Sequence, residues 1–115
     1  MKAYAQALDL VEDEDKIAEY DAYHQQVWPE VVEALQGIGI TRMRLYRTGN
    51  RLFMYFEAPD DFNPDRDYQR YAADPRCREW DQRMRSYQQR IPSAGEGGEW
   101  WTPMSLVFDL ESHAR

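Results

Sequence analysis

The chain predicts an α+β fold of ferredoxin-like type, in which an antiparallel sheet carries helices on one face in the order strand, helix, strand, strand, helix, strand. Three observations predict it. Strand-like apolar and aromatic runs recur near the start, the middle and the end of the chain. Two stretches with helical spacing lie between them, each opening at an acidic or Asp-Pro signal. A Thr48-Gly49-Asn50 turn joins the two middle runs as a hairpin.

From Ala3 to Val11, Tyr4, Leu8 and Leu10 share one parity with Gln6 while alanines occupy the other, which predicts a first strand packed closely on one side. Glu12-Asp13-Glu14-Asp15 follows, and negative charge there suits a helix N-terminus. A helix is expected over Asp15–Gln26, broken at Pro29, with a second short helix over Glu30–Gln36 that Gly37 stops. Ile40–Arg47 and Leu52–Ala58 are the hairpin strands, and Pro59–Asp67 reads as loop with a helical turn over Asp67–Tyr71. Asp74-Pro75 then caps and opens a helix through Cys77, Trp80, Met84 and Tyr87. Pro92–Gly98 is expected to be a flexible connection, and Met104–Leu110 a closing strand before a frayed tail.

The 115 residues match one ordinary domain, expected over 1–115. Such a sheet leaves one face bare, and a homodimer packing sheet to sheet, as a dimeric α/β barrel, is the expected way to cover it. A net charge of -7 argues against binding a phosphate backbone, so nucleic acid is not expected as a partner. The single cysteine, Cys77, forms no internal disulfide and fits a reducing compartment. Residues 1–10 do not read as a signal peptide, and no apolar run is long enough to cross a bilayer; a cytoplasmic protein without a membrane partner is expected.

An aromatic share of 14% is high for so short a chain and suggests a pocket or an interface. Of two histidines, His113 lies in the tail, which leaves His24 as the candidate acid or base. Tyr20 and Trp28 stand four residues to either side and would share its helix face, although Pro29 disturbs the latter. Half-buried packing is the commoner explanation of such a face, and the spacing alone does not establish a site. Trp80, Trp100 and Trp101 form a second aromatic group, suited to the carbon–hydrogen face of a pyranose or to core and interface packing. Gly37 to Gly39 lacks the lysine and length of a phosphate-binding loop, and no pair of histidines has metal-ligand spacing. No cofactor and no metal site are expected.

The stretch Tyr20-Asp21-Ala22-Tyr23-His24-Gln25-Gln26-Val27-Trp28-Pro29-Glu30 resembles the L-rhamnose mutarotase family, above all in its tyrosine, histidine and Trp-Pro-Glu. Asn50-Arg51-Leu52-Phe53, Cys77-Arg78-Glu79-Trp80 with Met84, and Val107-Phe108-Asp109-Leu110 extend the resemblance along nearly the whole chain. It implies a dimeric ferredoxin-like enzyme that interconverts the α and β pyranose forms of a 6-deoxyhexose without a cofactor: L-rhamnose first, L-fucose as the alternative. It also implies His24 as proton donor, with Tyr20 and Trp80 contacting the sugar; the helical spacing adds Trp28 as a further substrate-binding candidate. Two positions depart from the family pattern. Asp81 stands where a second tryptophan directly follows the first, and Met43 where a strand tyrosine is expected; as binding positions, both bear on which sugar is taken. Monooxygenases of the same architecture, cofactor-free or haem-dependent, and small-ligand binding proteins are the alternative readings, since fold alone does not decide chemistry.

Overall fold

A computed structural model describes residues 1–94 and 100–113. The chain runs β1 (Lys2–Leu10), α1 (Glu14–Gln25), α2 (Pro29–Gly37), β2 (Arg42–Thr48), β3 (Arg51–Ala58), α3 (Pro64–Tyr71), α4 (Pro75–Arg85), β4 (Gln88–Gln89) and β5 (Thr102–Pro103), with 3-10 turns at Pro92–Ala94 and Leu110–His113. The strands form one antiparallel sheet in the order β2-β3-β1-β4, and β5 also pairs with β1. This is the ferredoxin-like arrangement, with the second strand at one edge and the chain's last strands at the other.

Period-2 alternation decides which face is covered. Tyr4, Leu8 and Leu10 of β1 register with Phe56, Leu52 and the β4 edge, and with Met54 they enter one core beside Tyr20, Val31, Cys77, Trp80 and Met84 from the helices. The opposite parity, with Ala3, Ala5, Phe53 and Tyr55, lies on the face without helices. The hairpin is tight: Thr48 pairs with Arg51, and Gly49 has φ +56 at the position where a short hairpin turn needs glycine. Each long helix starts at a side-chain cap that satisfies otherwise orphaned amides. Asp13 accepts from the amides of Asp15 and Lys16, and Asp74 from that of Arg76.

Three expectations are corrected. The segment read as loop over Pro59–Asp67 already turns helical at Pro64, because Asn63 accepts from the amides of Asp65 and Arg66 and proline fills the first helical position. The helix read through Tyr87 stops at Arg85, and Tyr87 leads into β4. The closing strand does not cover Met104–Leu110. Its edge is divided between β4, which pairs with Asp9 and Leu10, and β5, which pairs with Gln6 and Ala7. The amide of Met104 makes the last bond to β1, at Ala5, and the chain then leaves the sheet with Leu106 80% and Val107 93% exposed. Apolar residues there mimic a buried strand while touching little of their own chain. The expected flexible connection includes residues 95–99, which lie outside the described residues.

Candidate active site

A cavity of about 900 Å³ opens between the helix-covered face of the sheet and the helices. His24 reaches it from the last turn of α1, Trp80 and Asp81 from α4, Tyr71 from α3, and Met43 from β2. Three of these elements start at a proline or acidic cap, so the register of their inward side chains is set locally before packing completes the wall.

Tyr20 and His24 are one helical turn apart, and their rings stack at 4.3 Å between centroids. His24 Nδ1 lies 2.8 Å from the carbonyl oxygen of Tyr20. A carbonyl only accepts, so Nδ1 carries the hydrogen and neutral His24 presents Nε2 as a free lone pair. Burial pushes the His24 pKa below its ordinary value, outweighing the raising effects of that hydrogen bond and of the Asp21 charge. The ring is therefore neutral near pH 7. Trp80 and the imidazole form a T-shaped pair with ring centroids 5.4 Å apart, and Trp80 itself is buried.

Tyr20 is buried, and its hydroxyl accepts from Gln88 Nε2 at 3.3 Å. Burial, the largest cause, pushes its pKa up to about 12, so it stays a neutral phenol that donates. Across the cavity, the Tyr71 hydroxyl donates to Asp81 Oδ1 at 2.9 Å. Burial raises the Asp81 pKa above the usual carboxylate value despite that bond and the Arg85 charge, and it pushes Tyr71 far up as well. Among the described residues Asp81 has no ion-pair partner within 4 Å. Together these groups offer flat aromatic walls, hydroxyl donors and two titratable side chains. That inventory suits a small polyol whose protons must be moved.

Of the residues expected from sequence, Tyr20, His24, Met43, Trp80 and Asp81 all line the cavity, and so do Trp100 and Trp101. Trp28 does not. Helix α1 ends at Gln25, and Trp28 caps α2, where its ring packs edge-on against Trp80 at 5.3 Å under the Arg76 guanidinium at 3.8 Å. Val27 lines the cavity instead. The sequence reading missed Tyr71, Gln88 and Tyr68. The Asn63-Pro64 cap could have found the first and third, since it sets the α3 register that turns both inward. Gln88 had no local signal. Among the described residues no group of three or more His, Cys, Asp or Glu could hold a metal ion.

A family model described as L-rhamnose mutarotase matches residues 3–110. A UPF0734 protein of Dictyostelium discoideum is 52% identical over 96% of this chain and 90% of its own length. An L-fucose mutarotase of Xanthomonas campestris pv. campestris is 36% identical over 96% and 89%. Among solved structures, an L-rhamnose mutarotase from Formosa agariphila superposes with a TM-score of 0.68 at 20% identity, covering 95% of this chain and 98% of that one. A dimeric ferredoxin-like protein from an uncultured marine organism gives 0.56 at 12% identity, covering 93% and 90%. At those identities the structures speak for the fold, whereas the family match and the two relatives speak for descent. The chain belongs to the L-rhamnose mutarotase family.

Proposed function

We propose that the chain is a sugar mutarotase that exchanges the α and β anomers of a 6-deoxy-L-hexose pyranose, with His24 as the histidine that moves protons. The observation that carries this reading is the desolvated His24, oriented by the Tyr20 carbonyl and walled by Tyr20 and Trp80 in one cavity. Ring opening removes a proton from the anomeric hydroxyl and delivers one to the ring oxygen; rotation about C1–C2 and reclosure reverse both transfers. Neutral His24 accepts at Nε2 in one half of the cycle and donates from it in the other, so the donor role implied by the family resemblance occupies half a turnover. The neutral phenol of Tyr20 donates to a sugar hydroxyl, and the Trp80 ring offers a face to the apolar side of the pyranose. No cofactor is required by this chemistry.

L-Fucose is supported by the 36% identical relative that carries its name, and L-rhamnose by the family model. Met43 and Asp81, where the family pattern expects aromatic residues, sit on the cavity wall where sugars would be told apart. Saturation-transfer NMR of the anomeric protons of both sugars at equilibrium tests the proposal. Wild-type protein should accelerate exchange of at least one and His24→Ala of neither. Binding without acceleration would favour a sugar-binding protein, and no effect on either sugar would reject the reading.

A homodimer completes the proposal. The bare sheet face carries Phe53, Tyr55 and the 52% exposed Tyr46, and the segment after β5 projects Leu106 and Val107 into the open. A second copy would cover both surfaces. Sedimentation should give twice the chain mass, and Leu106→Asp with Val107→Asp should weaken the association; a monomeric wild type would reject it. The buried free thiol of Cys77 supports the cytoplasm as the compartment.

A further inference from the structure

We infer that Asp81 is the second proton carrier of the cavity, exchanging a proton with the sugar while His24 exchanges the other. This rests on the mutarotase reading and names the group that reading leaves open.

Opening a pyranose moves one proton off the anomeric oxygen and places one on the ring oxygen, so two groups must act, one empty and one loaded. His24 is the empty one, because its Nδ1 hydrogen is held by the Tyr20 carbonyl and Nε2 is left without one. The loaded partner must line the same cavity, and the candidates are few. Tyr20 and Tyr68, both pushed up to about 12, and Tyr71, pushed further and already bonded to Asp81, do not give up and regain a proton near neutrality. Asp65, the other carboxylate of the wall, is exposed to solvent. Asp81 is half-buried, follows Trp80 in the chain, and is held by the Tyr71 hydroxyl through Oδ1 alone. The charged and titratable groups facing it are Tyr68 and Tyr71 from α3, with Cys77 and Arg85 from α4, and among the described residues no cation is bonded to it. A carboxyl so placed retains its proton to a higher pH than a surface aspartate does.

The cycle balances within the pair. Nε2 of neutral His24 takes the proton from the anomeric O1–H, the O1 electrons form the C1=O bond, the C1–O5 bond breaks, and O5 takes the proton of the Asp81 carboxyl. The pair is then imidazolium and carboxylate. After C1–C2 rotation, O5 attacks C1 while returning its proton to Asp81, and His24 returns its proton to O1. One proton is shared by the two residues throughout, and nothing is consumed.

Asp81→Asn retains an acceptor for the Tyr71 hydroxyl and removes the transferable proton, so the fold and the pocket are preserved while the transfer is not. With whichever 6-deoxyhexose the wild type accelerates, anomer exchange should fall about 100-fold, while the sugar's dissociation constant changes by less than about threefold. Asp81→Glu should recover part of the rate. In the wild type the rate should decline on the acid side, as His24 gains a proton, and on the alkaline side, as Asp81 loses one; in Asp81→Asn the alkaline decline should vanish. A rate within twofold of wild type, or a slow variant that keeps both declines, would overturn the inference and assign Asp81 a positioning role. Either result leaves an active wild type, so it is distinct from the failure of mutarotation itself, in which the wild type accelerates neither sugar.

Discussion

Asp67 and Asp81 lie on consecutive helices, and the chain treats them in opposite ways. Asp67, on α3, is 1% exposed, yet it receives Arg66, Arg70 and the amide of Asn63, and its pKa is held well below the usual carboxylate range, first by Arg66. Asp81, on α4, has one phenol as its hydrogen-bond partner among the described residues, and burial drives its pKa the other way. A carboxylate ringed by donors braces a helix start and a loop; a carboxyl that faces a cavity with a single phenol bonded to it is available for chemistry. Burial alone therefore does not separate structural from reactive acids in this molecule, whereas the partner list does.

The largest effect expected around this contrast comes from the aromatic wall between His24 and Asp81. Trp80→Ala should lower folding stability by about 3–5 kcal/mol, read as a shift in the urea midpoint, and weaken sugar binding in NMR titrations. A small stability change would mean that Trp80 is not the packing centre its contacts with Tyr23, His24 and Trp28 describe. Next, Asp67→Asn should lower the urea midpoint at pH 7 and leave the exchange rate per folded molecule within about twofold, since it lies outside the cavity lining. Asp81→Asn should leave the midpoint at or above that of the wild type, because it removes the cost of ionising a half-buried carboxyl. Midpoints that move in the same direction would break the comparison.

The pH dependence sharpens it further. Asp67, with a depressed folded pKa, stabilises the fold above its unfolded value near 4, and this is lost as pH falls through the folded pKa. Asp81, with a raised folded pKa, makes the fold less stable as pH climbs from about 4 through that folded value. His24, buried neutral, contributes stability above about 6.5 that is lost as pH falls toward its folded pKa. Urea midpoints taken from pH 4 to 8 should thus flatten on the acid side of 6.5 in His24→Ala, and lose their decline with rising pH in Asp81→Asn. The smallest effect belongs to the surface: Glu79→Ala, which removes ion pairs to Arg76 and Arg83, should leave the midpoint within measurement error.

Much of the scaffold was legible because its signals are local. Asp13 and Asp74 cap the helices at the acidic cluster and the Asp-Pro pair, Gly49 turns the hairpin, and alternation in β1 and β3 assigns their faces. The same Asn-Pro logic at Asn63-Pro64 marks the start of α3, although the polar residues around it have the composition of a loop. Trp28 was placed beside His24 by counting helical turns across a helix end, and that counting fails where the backbone of residues 26–28 leaves the helix. Met104–Leu110 read as a strand because apolar residues imply burial, and nothing local tells whether the burying surface belongs to the same chain.

The sequence by itself determined the strands and long helices up to α4, the inward parity of the strands and the Tyr20–His24 pair, which follow from spacing along a few residues, and the family resemblance, which follows from short motifs. Only the tertiary structure decided that Tyr71 reaches Asp81, that Gln88 meets Tyr20, that Trp28 turns away from the cavity, and that the last apolar segment stays outside the sheet. The reason is physical. Helical and strand periods act over a few residues, whereas the hydrogen bonds that hold Asp81 and Tyr20 come from Tyr71 and Gln88, 10 and 68 positions away, groups that meet only when the sheet and its helices close on each other.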